Sequence, residues 1–128
     1  MKQEYLIQDK KILIVEDDPV NVSVMKIMLK KVYKLDIARN GEKAIELAKE
    51  NHYDLFLMDI NLGAGMDGLS ATKIFRKMDI YCQTPIIATT AYAMYGDREN
   101  FIEAGCTDYI AKPFTKEVLL NLITHCLQ

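Results

Sequence analysis

The sequence contains no tryptophan, only three prolines and only three cysteines in 128 residues. Cys82, Cys106 and Cys126 form neither a CxxC pair nor a zinc-binding pattern, and an odd, scattered set does not build a disulfide framework. We therefore expect reduced thiols and a cytoplasmic protein. No apolar run approaches the length needed to cross a bilayer, so we expect no membrane partner.

The sequence also has no marked excess of either positive or negative charge. The formal net charge is −2, which gives no broad electrostatic attraction to nucleic acid, and we expect no direct contact with it. Half of the residues are hydrophobic and 27% are charged, the balance of a globular fold of one domain. We expect residues 1–10, which lack signal-peptide character, to form an N-terminal lead and residues 11–128 to form the domain.

Strand-like and helix-like segments alternate along the chain. Five strands are predicted, at Lys11–Val15, Leu35–Ala38, Leu55–Met58, Ile86–Thr89 and Tyr109–Ala111. Five helices are predicted, beginning at Asp18-Pro19, at Asn40-Gly41, near Leu69, near Ala93 and after Thr115. This alternation indicates an α/β fold in which helices cover both faces of a parallel sheet. Ligands bind such sheets beyond the carboxyl ends of the strands.

Local signals define several helix ends and faces. Asp18 and Thr115 are predicted N-caps, and Gly105 stands where a helix C-terminal glycine belongs. In the first helix the spacing predicts one apolar face, and it also predicts that methionines of this helix fill the core. The predicted face consists of Val20, Val24, Ile27 and Met28, and the predicted core methionines are Met25 and Met28.

Charged and polar side chains stand at the ends of three predicted strands. Glu16 and Asp17 end the first strand, Asp59 ends the third, and Lys112 follows the fifth. Two carboxylates about 4 Å apart repel by roughly 4 kcal/mol at an effective dielectric near 20, so the cluster needs a partner. Magnesium suits a site of few carboxylates together with water and phosphate oxygens.

The same residues are suited to phosphoryl transfer. A carboxylate such as Asp59 can act as a nucleophile that forms an acyl phosphate. Lys112 can bind a phosphoryl group as a point charge, and Thr90, at the end of the fourth strand, can donate its hydroxyl to a phosphoryl oxygen. Positioning and charge neutralisation supply most of what phosphoryl transfer requires.

Five motifs occur in order and at the spacing of a known family. They are Ile14-Val15-Glu16-Asp17-Asp18, Leu57-Met58-Asp59, Met66-Asp67-Gly68, Thr89-Thr90-Ala91 and Tyr109-Ile110-Ala111-Lys112-Pro113-Phe114. With these motifs the chain resembles the receiver domain of two-component response regulators from about Lys11 to Leu127. The resemblance implies a flavodoxin-like, three-layer (βα)5 fold with a five-stranded parallel sheet in the order 2-1-3-4-5, and a cis Lys112-Pro113 bond.

The resemblance also implies roles for the site residues. Asp59 is the expected phosphoacceptor, and Thr90 and Lys112 are expected to bind the phosphoryl group. Mg²⁺ is expected to bind Asp17, Asp59 and the backbone carbonyl of Asn61 directly, with Glu16 acting through water. Thr90 is a switch residue together with Tyr109, whose ring is expected to turn inward when Thr90 moves.

The expected function is a phosphorylation-controlled switch in two-component or phosphorelay signalling. A histidine kinase or a histidine phosphotransfer protein would donate the phosphoryl group, and the face formed by helix 4, strand 5 and helix 5 would signal to a downstream protein partner. The protein would be a monomer or weak dimer, and no enzyme beyond its own phosphotransfer and autodephosphorylation. Because the sequence ends after the fifth helix, we expect a stand-alone receiver or a receiver from a longer hybrid kinase.

The chain departs from the family in the loop after Asp59. Gly63 replaces the usual proline, and Gly68 comes nine residues after Asp59 rather than eight. This departure puts the conformation of the loop, and with it the Asn61 carbonyl, in question. Tyr92, two residues past Thr90, is hypothesised to shield the phosphate and slow its hydrolysis.

Three alternatives compete with a receiver. A haloacid-dehalogenase-type phosphatase needs a second aspartate two residues after the nucleophile, where this chain has Asn61. A flavin- or nucleotide-binding module needs a phosphate-cradling loop after the first strand, where the acidic cluster would instead repel phosphate. A receiver-like interaction module that is never phosphorylated is supported only by the altered loop.

Overall fold

The computed structural model describes residues 9–63, 65–91 and 97–128. Within them the strands are β1 (Lys11–Val15), β2 (Lys34–Ala38), β3 (Leu55–Asp59), β4 (Ile86–Thr90) and β5 (Asp108–Ala111). The α-helices are α1 (Pro19–Leu29), α2 (Gly41–Glu50), α3 (Gly68–Arg76), α4 (Asp97–Ala104) and α5 (Lys116–Leu127), and a 3₁₀ turn occupies Asp79–Tyr81. Most of the expected lead, the expected start of the fourth helix near Ala93, and Tyr92 lie outside the described residues.

The five strands form one parallel sheet in the order β2-β1-β3-β4-β5, as expected. β3 lies at its centre, and all five of its residues are buried, because helices cover both faces of the sheet. The pairing of Asp59 with Thr89 and of Thr90 with Ala111 brings the ends of β3, β4 and β5 to one edge. This register positions the candidate site. No helix in the described part of the chain is long and apolar enough to cross a membrane.

The sheet separates two hydrophobic cores. One, the α2–α4 core, is formed by buried residues of α2, α3 and α4 with one face of the sheet, including Ala44, Ala48, Phe75, Phe101 and Phe56. The other, the α1/α5 core, packs Met25, Leu29, Leu119 and Ile123 against the opposite face of the sheet. The two cores have no residue in common.

The predicted apolar face of α1 is wrong. The helix turns Val22, Met25 and Leu29 into the protein, and it leaves Val20 and Ile27 67% exposed and Val24 41% exposed. Both faces of this helix carry apolar residues, so spacing alone does not identify the buried one. Met25 does fill the core as predicted, and Met28 packs against that core while half-buried.

The helix ends follow the local signals. Asp18 accepts a hydrogen bond from the Val20 N–H and Thr115 accepts one from the Val118 N–H, which confirms both predicted caps. Gly105 follows α4 with φ +117°, a conformation that favours glycine. The Lys112-Pro113 peptide bond is cis, as the resemblance implied.

A half-buried arginine links the end of α3 to two neighbouring loops. The guanidinium of Arg76 donates hydrogen bonds of 2.7–2.8 Å to the backbone carbonyls of Gly105, Tyr81 and Thr84. These carbonyls belong to the turn after α4 and to the segment that leads into β4. Arg76 therefore satisfies the carbonyls of Gly105 and Thr84 and adds a second donor to the Tyr81 carbonyl, which also accepts from the Thr84 N–H at 3.4 Å.

Candidate functional site

The candidate site lies where β1, β3 and β5 end. One carboxylate oxygen each from Glu16, Asp17 and Asp59 lies within 4.8 Å of the others. Glu16 and Asp59 are buried and Asp17 is exposed, so the cluster opens to solvent on one side. The three residues that the sequence predicts to form an acidic site are brought together.

Lys112 connects the two buried carboxylates. Its Nζ lies 2.8 Å from Oε1 of Glu16 and 3.4 Å from Oδ2 of Asp59. The backbone N–H of Lys112 donates to the Thr90 carbonyl at 2.7 Å, which fixes the start of the loop after β5 against β4. One ammonium group thus faces both the acidic cluster and the predicted phosphoacceptor.

Burial and the neighbouring charges act in opposite directions on the pKa values of Glu16 and Lys112. Burial raises the pKa of Glu16 by disfavouring its charged form, and the hydrogen bond from Lys112 opposes that rise. For Lys112, burial favours the neutral amine, but the hydrogen bond to Glu16 and the charges of Asp59 and Glu16 outweigh it and raise the pKa. Lys112 is therefore held as a cation at the site.

The loop after Asp59 is anchored at several points despite its extra residue. The Asn61 N–H donates to Oδ1 of Asp59 at 3.0 Å, and the Gly63 N–H donates to Oδ2 of Asp17 at 3.1 Å. Gly68, at the start of α3, packs so closely on the backbone of Asp59 that a Cβ there would overlap the Asp59 carbonyl oxygen. Asn61 and Gly63 in the first part of the lengthened loop, and Gly68 directly after it, are thus all in contact with Asp17 or Asp59. The metal-binding role of the Asn61 carbonyl stays a prediction.

The two predicted switch residues lie on neighbouring strands beside the acidic cluster. Thr90, the last residue of β4, is buried, with 1% of its surface exposed. The half-buried Tyr109 of β5 packs against the α2–α4 core, with its ring centre 6.0 Å from that of Phe101 in α4. Tyr109 therefore connects the sheet edge to α4. The switching movement itself stays a prediction.

A cleft that the sequence did not reveal adjoins the site on the side of α1. It has a volume of about 440 Å³ and is lined by Asn21, Val24, Met25, Ala91, Lys112, Pro113 and Phe114. Lys112 is common to this cleft and to the acidic cluster. The exposed residues Val20, Val24 and Ile27, defined here as the α1 stripe, continue the apolar surface from the cleft along the helix. This surface exists because α1 turns Val22, Met25 and Leu29 inward, an orientation that the sequence did not predict.

The donor set fits a hard divalent cation. Three carboxylates supply oxygen ligands only, and Lys112 provides one positive charge against three negative ones. The excess of negative charge and the absence of sulfur or imidazole from this cluster match the preference of Mg²⁺ for carboxylate and water oxygens.

Comparison with known proteins identifies the family. The family model for the response regulator receiver domain matches residues 12–124, so the chain belongs to that family. It is a receiver domain of two-component or phosphorelay signalling, a class of signalling switch rather than of conventional enzymes. This membership favours the receiver over the phosphatase and flavin-binding alternatives.

Individual relatives include both single receivers and hybrid kinases. The chain is 39% identical over 107 residues to the polar-differentiation response regulator DivK of Brucella anthropi, covering 83% of this chain and 86% of DivK. It is 38% identical over 113 residues to the signal transduction histidine-protein kinase BarA of Escherichia coli. That match covers 88% of this chain and 12% of the kinase, so the chain spans only a small part of the hybrid-kinase relatives.

Solved receiver structures superpose over nearly the whole chain. The receiver domain of the sensor histidine kinase PA1611 of Pseudomonas aeruginosa is 40% identical, with a TM-score of 0.86 over 94% of this chain and 98% of that one. That structure has a magnesium ion coordinated in its active site cleft. The chemotaxis protein CheY4 of Vibrio cholerae is 26% identical, with a TM-score of 0.89 over 94% and 100% of the two chains.

Proposed function

We propose that this domain accepts a phosphoryl group on Asp59 from a phosphohistidine protein, with Mg²⁺ as cofactor. The observation that carries the proposal is the convergence of Glu16, Asp17 and Asp59 within 4.8 Å, with the ammonium of Lys112 bridging two of them. A carboxylate nucleophile, a cation beside it and an oxygen-rich metal site are the parts that aspartyl phosphate formation requires.

The proposed transfer is a substitution at phosphorus, in which one bond to phosphorus forms as another breaks. A carboxylate oxygen of Asp59 forms a bond to phosphorus as the bond between phosphorus and the donor's imidazole nitrogen breaks. The imidazole nitrogen keeps the electron pair of that bond, and the ring takes up a proton from solvent so that it leaves as neutral imidazole. The product is an acyl phosphate, whose later hydrolysis returns the Asp59 carboxylate and inorganic phosphate.

Each site residue has a distinct task in this proposal. Asp17 and Asp59 would hold Mg²⁺ together with the Asn61 carbonyl, and Glu16 would act on it through water. When bound, Mg²⁺ neutralises negative charge on the phosphoryl oxygens. Lys112 would bind the phosphoryl group as a cation, for which it must exchange its contact with Asp59 for one with a phosphoryl oxygen.

The α1 stripe is proposed as the docking surface for the histidine-bearing donor. The donor must bring its imidazole within bonding distance of Asp59, so it has to cover surface next to the site. The adjoining cleft shares Lys112 with the site, and Val24 of the stripe lines that cleft. A protein partner gains affinity from an exposed apolar patch of this kind, whereas a small phosphodonor has no use for it.

The response to phosphorylation is proposed to travel through Thr90 and Tyr109 to α4. Thr90 moves toward the phosphoryl group and its hydroxyl donates to it, and the Tyr109 ring then turns inward. Because that ring packs beside Phe101 of α4, its movement changes the face formed by α4, β5 and α5, which a downstream protein partner recognises.

The acceptor is tested by incubation with acetyl phosphate and Mg²⁺, followed by intact-mass measurement of the wild type and of Asp59→Asn. We expect one added phosphoryl group in the wild type, none in Asp59→Asn, and none in the wild type when the metal is chelated. A wild type that gains no phosphoryl group and binds no Mg²⁺ would refute the function and favour an interaction module.

The docking surface is tested by comparing two phosphodonors. Val24→Glu and Ile27→Glu should slow transfer from a phosphohistidine protein at least tenfold and leave the rate with acetyl phosphate within twofold. Ile80→Glu is the matched control, because Ile80 is 58% exposed but lies outside the cleft. Equal slowing with both donors would refute a docking role.

A further inference from the structure

The backbone N–H of Gly63 is hydrogen-bonded to the carboxylate of Asp17, 46 residues away in sequence. The distance from Gly63 N to Oδ2 of Asp17 is 3.1 Å. Within residues 9–63, 65–91 and 97–128 this is the hydrogen bond that the Asp17 side chain makes. Asp17 is exposed, so without this contact few neighbours would restrict its orientation.

The residue type at position 63 permits the contact in two ways. Glycine has the N–H that proline, usual in the family at this place, does not have. Glycine also has no Cβ, and a Cβ built there would lie 3.0 Å from the same Oδ2, which is closer than ordinary contact. The change from proline to glycine therefore both provides the donor and leaves room for the Asp17 carboxylate beside it.

The contact leaves part of the carboxylate available. One oxygen of Asp17 is held by the loop, and the carboxylate remains within the cluster whose oxygens lie within 4.8 Å of one another. A ligand that is already oriented loses less conformational freedom when it binds a metal, so its affinity rises.

We infer that Gly63 is a positioning residue for the metal site: its N–H orients the Asp17 carboxylate toward Asp59 and thereby raises the affinity for Mg²⁺. The inference rests on the proposed function, because it assumes that Asp17 binds Mg²⁺. It concerns a hydrogen bond that a receiver with proline at this position does not form.

The test is the Mg²⁺ dissociation constant of the intact chain, measured by calorimetry for the wild type, Gly63→Pro and Gly63→Ala. Gly63→Pro deletes the N–H and should weaken binding about fivefold to tenfold, which is the net contribution of a typical protein hydrogen bond. Gly63→Ala keeps the N–H but places a Cβ close to Oδ2 at the flexible end of the Asp17 side chain, so it should weaken binding less than Gly63→Pro. In phosphorylation by acetyl phosphate, excess Mg²⁺ should restore the rate that Gly63→Pro loses.

Three results would overturn the inference. They are an unchanged dissociation constant in Gly63→Pro, an equal loss in Gly63→Ala, which would indicate crowding, and a loss of rate that excess Mg²⁺ does not restore. If Gly63→Pro does not fold, replacing Gly63 by glycolic acid deletes the N–H without adding a side chain and takes its place. A wild type that neither binds Mg²⁺ nor accepts a phosphoryl group refutes the proposed function, whereas a competent wild type with an unaffected Gly63→Pro refutes this inference alone.

Discussion

Gly68→Ala is expected to destabilise the domain through the backbone that carries the phosphoacceptor. A Cβ at position 68 would overlap the carbonyl oxygen of Asp59 and lie 2.9 Å from its carbonyl carbon and 3.0 Å from Cα of Ile60. All three atoms are backbone atoms at the end of the buried central strand β3, so none can rotate away. Relief requires that α3 moves outward or that the end of β3 is displaced.

The size of the effect follows from two opposing contributions. Overpacking against a rigid neighbour costs up to about 3 kcal/mol. Alanine is a better helix former than glycine and returns at most about 1 kcal/mol at a helix position. We therefore expect the free energy of unfolding to fall by about 2–3 kcal/mol, a large part of the stability of a domain this size.

Urea unfolding monitored by circular dichroism measures this change. The midpoint should fall by about 1 M, with the slope unchanged. Gly41→Ala is the matched control at the start of α2, where the three atoms nearest to a Cβ belong to the Met66 side chain and lie at 3.2 Å, a milder contact than the backbone overlap at Gly68. Its midpoint should stay close to that of the wild type. Equal stability of Gly68→Ala and the wild type would refute the close-approach argument, and acetyl phosphate labelling should be slower in Gly68→Ala because Asp59 itself is displaced.

Three further predictions concern buried polar groups. Arg76→Met should lower the free energy of unfolding by about 2–3 kcal/mol in urea, because the Gly105 and Thr84 carbonyls lose their donor and the Tyr81 carbonyl keeps only its bond from the Thr84 N–H. Lys73→Met on the exposed side of the same helix should change it by less than about 0.5 kcal/mol. Lys112→Met should cost about 3 kcal/mol by leaving the buried Glu16 carboxylate without its cation, and adding Glu16→Gln should recover at least half of that loss. Burial raises the pKa of the Cys106 thiol from 9.0 to about 11. Because the unfolded thiol then ionises first, the free energy of unfolding should fall between pH 9 and pH 11 by roughly 2 kcal/mol more in the wild type than in Cys106→Ala, in which Cys126, Tyr53 and Tyr81, whose pKa values are also raised, still contribute a smaller fall.

The strand ends made the site predictable from the sequence. In a parallel sheet the residue after each strand lies at a common edge, so Asp17, Asp59 and Lys112 could be placed together without coordinates. Cap and glycine signals, which depend on local backbone chemistry, were equally informative for Asp18 and Gly105.

The buried face of α1 could not be obtained in the same way. Val20, Val24 and Ile27 have helical spacing, but so do Val22, Met25 and Leu29 on the other side. Periodicity detects an apolar stripe and does not say which of two stripes faces the sheet. The packing of α1 against β2 and α5 decides that.

The loop after Asp59 escaped prediction for a different reason. The sequence reveals its extra residue and its missing proline, but the partner of the Gly63 N–H is a side chain 46 residues away. Because every residue except proline has a backbone N–H, the sequence does not show which of these groups bonds to a distant side chain. Likewise nothing in the sequence around Arg76 identifies the three carbonyls that it binds.

The two cores on opposite faces of the sheet have a consequence for the evolution of signalling specificity. α1, with the proposed donor surface, is held by the α1/α5 core, and α4 of the proposed output face is held by the α2–α4 core. Substitutions on separate cores are close to additive in their effect on stability. A duplicated copy of this domain can therefore exchange its phosphodonor through changes around α1 while the packing of α4 is inherited intact. The α5 part of the proposed output face shares its core with α1, so it changes together with the input side.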